Sequence, residues 1–92
     1  MTAKEAMIKA KEYAEKRYRA IIISCYEFDD FYAFNTNYSG VDEIVPDMPT
    51  IQVFKKTGDV QDMFPDQPYV DKKTFEWIDP FDGAKKIDIE TL

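Results

Sequence analysis

Ala6, Ala10 and Ala14 recur at four-residue intervals near the start of the chain, and this spacing constrains the fold more than any other feature. Such intervals place the three methyl groups on one face of a helix. Whatever packs against that face can come close to the helix axis, as a β-sheet does. Ala3, Met7, Tyr13 and Tyr18 complete the apolar stripe. The opposite face carries Glu5 with Lys9 and Glu12 with Lys16, both in the favourable i,i+4 order. Thr2 and Glu5 form a capping box, each able to satisfy the other's backbone amide. The pattern predicts a helix over 3–17 laid on a sheet.

The rest supplies the sheet. Residues 20–28 are β-branched and aromatic, which predicts a strand. Asp29 and Asp30 interrupt it, and residues 31–36 predict a second strand joined by a tight hairpin. Residues 37–49 read as a loop rich in Gly, Pro and acid. Residues 50–55 alternate as a third strand, residues 56–59 turn at Gly58, and residues 60–64 predict a fourth strand. Residues 71–78 read as a short helix or a strand, Asp82 and Gly83 turn the chain, and 84–92 is a tail with Ile87 and Ile89 as anchors. The predicted architecture is a single α+β domain over 1–92. An N-terminal helix packs on a four-stranded antiparallel meander, with a short C-terminal helix or irregular tail. The expected helix-side core is Ala6, Met7, Ala10, Ala14, Ile21, Ile23, Cys25, Ala33, Ile51, Val53 and Val60. The other sheet face would carry Ile22, Tyr26, Phe28, Tyr32, Phe34 and Phe54, covered by Phe75 and Trp77 or by a partner. Aromatic side chains are abundant, at 15%. Large rings are how a small domain buries enough surface.

Several chemistries are disfavoured by composition. The chain has no His, which removes the commonest general base and zinc ligand. Cys25 is the single Cys, so no intrachain disulfide forms, and it reads as a reduced core residue of a cytoplasmic protein. No apolar run approaches the roughly 18 residues of a membrane span. Neither Asp59-Val-Gln-Asp62 nor Asp79-Pro-Phe-Asp82-Gly83 has calcium-loop spacing. Gly40 and Gly58 are isolated, so there is no phosphate-cradling loop. Glu27 is the carboxylate nearest to an apolar setting, and it reads as an outward strand residue. The expectation is a protein that is not an enzyme and needs no cofactor or metal.

Charge is unevenly placed. Residues 1–20 hold six basic and three acidic side chains, for +3; residues 21–92 hold six and fifteen, for −9. The net charge of −6 disfavours direct nucleic-acid binding. The acids gather at predicted loops and turns: Asp29 and Asp30; Asp42, Glu43 and Asp47; Asp59, Asp62 and Asp66. In a meander the 29–30 and 59 turns fall at one end of the sheet and the 37–49 loop at the other. With Tyr26, Tyr32 or Tyr38 nearby, these acids and Tyr38 are the candidate contacts for a basic partner protein. Such charge runs are more often a solvated surface, and that is the reading the sequence favours.

The order of elements resembles a known family. Ala6-x-x-Lys9-Ala10-x-x-Tyr13 leads into an Ile-rich strand, then Asp30-Phe-Tyr-Ala-Phe34, then Pro49-Thr-Ile-Gln-Val-Phe-Lys-Lys-Thr-Gly-Asp-Val60. Over about residues 3–64 this is similar to the YrhB-type bacterial immunity proteins, and to related Firmicutes α+β proteins ending in an Ala-Lys-x-Ile-x-Ile pattern like Ala84 to Ile89. The resemblance implies a small inhibitor that caps a toxin. The separate expectation for its assembly is a monomer or weak homodimer. It implies no catalytic residues. A second possibility is a phage or mobile-element inhibitor whose acidic face mimics nucleic acid and blocks a nucleic-acid-binding protein.

Overall fold

In a computed structural model, which describes residues 1–41, 48–63, 81 and 83–92, helix α1 runs from Ala3 to Tyr18. Its capping box forms as the sequence demands: Glu5 N donates to Thr2 Oγ1 at 3.2 Å and Thr2 N to Glu5 Oε1 at 3.1 Å. Arg19 ends the helix in the left-handed region, φ 51° and ψ 41°, with its N–H directed to the carbonyls of Ala14 and Glu15. This single residue reverses the chain directly into β1 (Ala20–Glu27).

Strands β1, β2 (Phe31–Tyr38), β3 (Thr50–Phe54) and β4 (Val60–Met63) form the expected antiparallel meander. A fifth strand, β5 (Lys85–Ile87), returns to pair with the far edge of β1, giving the order β4-β3-β2-β1-β5. A 3₁₀ turn (Ile89–Thr91) follows. The tail is therefore partly sheet, where the sequence pointed to a helix or irregular chain. Ile87, Ile89 and Leu92 pack against the core, so the anchors expected at Ile87 and Ile89 are there. The possible helix at 71–78, with Phe75 and Trp77, lies outside the described residues.

The helix stripe and the sheet are complementary in size. Ala6, Ala10 and Ala14 are fully buried, and opposite them lie the large side chains of Tyr32, Phe34, Ile51 and Val53. Small groups on the helix leave the volume that rings and branched chains on the sheet fill, as close packing requires.

Sheet parity differs from the expectation in β1 and β2. Ile22 pairs with Thr36 and Ser24 with Asn35, so Ile23 is an extra residue, a β-bulge. A strict two-residue period could bury either Ala20 and Ile22 or Cys25, but not both sets. The bulge buries all three. Consequently Ile22 faces the helix, while Ile21 and Ile23, expected in the core, are 44% and 38% exposed. On β2 the core-facing residues are Tyr32 and Phe34, because burying two rings stabilises more than burying the methyl group of Ala33. Ala33 is buried on the opposite face, in register with Tyr26 and Gln52.

Candidate docking surface

The β1–β2 connection is a two-residue turn. Phe28 N donates to Phe31 O at 2.9 Å, leaving Asp29 and Asp30 exposed at its tip. Neither has positive φ, so this is not the Asn-Gly type of turn that needs it. Stacking of Phe28 on Phe31, with centroids 4.5 Å apart, braces the turn from one side.

The β3–β4 hairpin is tied to that tip. Lys55 N donates to Asp30 O at 2.9 Å. Gly58 closes the hairpin at φ 73°, with its N–H on Phe54 O, and Asp59 O accepts from Phe54 N at 3.0 Å. Lys9 Nζ reaches from the helix to Gly58 O at 3.1 Å. Two hairpin ends thus share one hydrogen-bonded platform. Asp59 is brought to the same end as Asp29 and Asp30, as the meander topology required.

Between them runs a groove of about 520 Å³ lined by Asp30, Phe54, Lys56, Thr57 and Asp59. Phe54 meets Phe31 edge-on at 6.0 Å, and Phe81 approaches Phe28 at 6.4 Å and stacks on Tyr26 at 4.6 Å. A run of half-buried rings therefore lies behind the carboxylates on the sheet face away from the helix. Phe31 and Phe81 were not singled out from sequence. Phe31 is the residue directly after the acidic pair, and that adjacency is the signal that could have found it.

Of the adjacent lysines on the platform, Lys55 is engaged within the fold, whereas Lys56 is exposed on the groove wall and is in no ion pair among the described residues. Lys55 Nζ pairs with Glu27 Oε2 at 2.8 Å and lies 5.0 Å from the centroid of Tyr32. The Lys55 hydrogen bond holds the Glu27 carboxyl below its ordinary range, and Glu27 holds the Lys55 ammonium above its own. Glu27 is thus a half-buried partner on the helix side of the sheet, not the outward residue that alternation implied. The ion pairs among the described residues, Lys16–Glu12 and Lys55–Glu27, leave Asp29, Asp30 and Asp59 without one.

Asp62 does not belong to this rim. Ile51 is its neighbour in register, so it lies on the helix side. It accepts from Tyr18 Oη at 2.5 Å and from Tyr13 Oη at 3.3 Å. Tyr13 and Tyr18 meet edge-on at 6.4 Å, and Arg17 sits 5.5 Å from the Tyr13 centroid. Hydrogen bonding to Asp62 raises the Tyr18 phenol; for Tyr13, burial comes first and the Asp62 charge second. Asp62 therefore fastens α1 to β4. Tyr38 is exposed at the opposite end of the sheet, apart from Asp29, Asp30 and Asp59. Asp42, Glu43, Asp47 and Asp66 lie outside the described residues.

Cys25 is wholly buried, and desolvation pushes its thiol up to about 11, which makes it a poor nucleophile. Among the described residues, no group of three or more His, Cys, Asp or Glu side chains is arranged to hold a metal ion. No helix of the described residues is long and apolar enough to cross a membrane.

Comparison with known proteins gives no match among family models, curated proteins or solved structures.

Proposed function

We propose that this chain is a small acidic binding protein of the immunity type, which caps a basic partner protein with the turn end of its sheet. The observation that carries the reading is the gathering of three carboxylates at one end of the sheet: Asp30 and Asp59 line a groove with Phe54 and Lys56, Asp29 sits beside them at the turn tip, and none of the three is in an ion pair among the described residues, with Phe28 and Phe31 behind. The excess of carboxylates over the Lys56 ammonium steers a cationic surface into place, and partly buried rings supply the apolar contacts that hold it. The clustering favours capping over nucleic-acid mimicry. A mimic needs carboxylates in a row at phosphate-like spacing, whereas these are gathered on two adjoining hairpin ends. The toxin as partner rests on the YrhB-type resemblance.

The test is a paired affinity capture from the native host. One bait is the wild-type chain and the other carries Asp29→Lys, Asp30→Lys and Asp59→Lys. A basic protein enriched by the first and absent from the second is the expected result. Equal recovery by both baits, or recovery by neither, refutes the proposal.

A further inference from the structure

At the other end of the sheet, the outer edge of β1 begins without a paired strand among the described residues. Strand β5 covers Cys25 to Glu27 and stops there. The residues after it, Asp88 to Glu90, line a gap beside Ile23 and Ser24. Among the described residues nothing pairs with the edge at Ala20, Ile21 and Ile22. A strand edge with unpaired amides and carbonyls is a template for another strand, and charged or proline side chains usually blunt it. Here the exposed side chains are apolar: Ile21 at 44% and Ile23 at 38%. Tyr38, in register with Ala20, and Val41, whose N–H bonds Tyr38 O, are exposed at the same corner.

We infer that this edge pairs with the same edge of a second copy, forming a two-fold dimer with β1 antiparallel to β1 and centred on Ile21. The register follows from the space available. Strand β5 pairs from Cys25 onward and the tail lines the gap beside Ile23 and Ser24, so the segment with no strand or gap-lining tail beside it among the described residues is Ala20 to Ile22, and a two-fold axis at its middle residue keeps both tails clear. Ala20 then faces Ile22 of the second copy, and the two Ile21 side chains meet on the outer sheet face. Arg19 of each copy comes opposite Ile23 of the other, beside the tail that carries Asp88 and Glu90. Arg19, Asp88 and Glu90 are all exposed, and none is in an ion pair among the described residues. Positive meets negative twice across the axis, which fixes register and disfavours a slipped pairing. An isologous contact of this kind closes on itself and does not propagate. It lies away from the acidic turn end, so it does not depend on the proposed docking of a basic partner.

Sedimentation of the full chain over a concentration series tests the inference. The interface is small, so the dimer should appear only towards roughly 0.5 mM, as contacts below about 1,200 Å² are weak. Wild-type protein should approach twice the monomer mass, and Ile21→Lys should stay monomeric with an unchanged circular dichroism spectrum. Arg19→Glu should weaken association by roughly tenfold, since each dimer loses two exposed pairs. Adding Glu90→Arg to it should restore the wild-type constant. A wild-type chain that stays monomeric, an Ile21→Lys variant that dimerises equally well, or failure of the charge swap to rescue would each overturn the pairing. The charge-swap arm stands even if Ile21→Lys fails to fold.

Discussion

Replacing Asp62 with Ala separates its structural role from the docking role that the sequence assigned to it. The substitution removes the acceptor of two tyrosine hydroxyls, at 2.5 and 3.3 Å. A hydrogen bond to a charged group contributes about 1.5–3 kcal/mol, and the longer, half-exposed bond to Tyr13 falls below that range. The expected loss is about 2–3 kcal/mol, against a total of about 5–14 kcal/mol for a chain of this length. At about 4–8 °C per kcal/mol, the midpoint should fall by roughly 10–20 °C. Tyr18→Phe alone should reproduce about half of that loss, and the two changes together should be less than additive. Chemical and thermal denaturation at neutral pH measure both. The raised phenol pKa values add a sign. Their stabilisation is complete below about pH 10 and is lost as pH rises through the folded-state values, so Asp62→Ala should also flatten the alkaline limb. If Asp62→Ala melts like wild type yet weakens capture of the partner, the assignment to α1–β4 fastening is wrong and Asp62 returns to the rim.

Three further outcomes follow from the same geometry. Glu27→Gln should flatten the acid limb. The wild-type stabilisation from the lowered Glu27 pKa is present above about pH 4.5 and lost as pH falls through the folded-state value, which urea titrations at varied pH measure as a small effect because solvent screens the pair. Cys25 should resist a thiol reagent at pH 8 in the folded protein and react at once in urea, with rapid native labelling contradicting its burial. Arg19→Gly should raise stability by about 1 kcal/mol, because glycine adopts φ 51° without the Cβ penalty; a loss measured at low protein concentration counts against that account.

How much was legible depended on whether a residue's neighbours in sequence were also its neighbours in space. The capping box, the alanine stripe and both hairpins are local, and Thr2 with Glu5 or Asp29 with Asp30 announce them directly. The bulge at Ile23 is not local. Three consecutive Ile residues satisfy either parity, and only the need to bury Cys25 beside Phe34 as well as Ala20 and Ile22 selects one. Strand β5 is three residues, two of them Lys, and exists because the edge of β1 at Cys25 to Glu27 offers it partners. The site divides the same way. Topology alone brings Asp59 to Asp29 and Asp30, whereas Asp62, three residues further on, points to the helix because strand side chains alternate. Neither Tyr13 nor Tyr18 reveals in sequence that its hydroxyl has a carboxylate to meet.

The most direct measurement of the central claim is the association rate of the captured partner, followed by stopped flow from low to high ionic strength. The wild-type rate should fall steeply as salt rises. The Asp29→Lys, Asp30→Lys, Asp59→Lys variant should associate slowly at every salt concentration while melting like wild type. A partner that binds both chains at the same, salt-independent rate would contradict the acidic turn end as the docking surface.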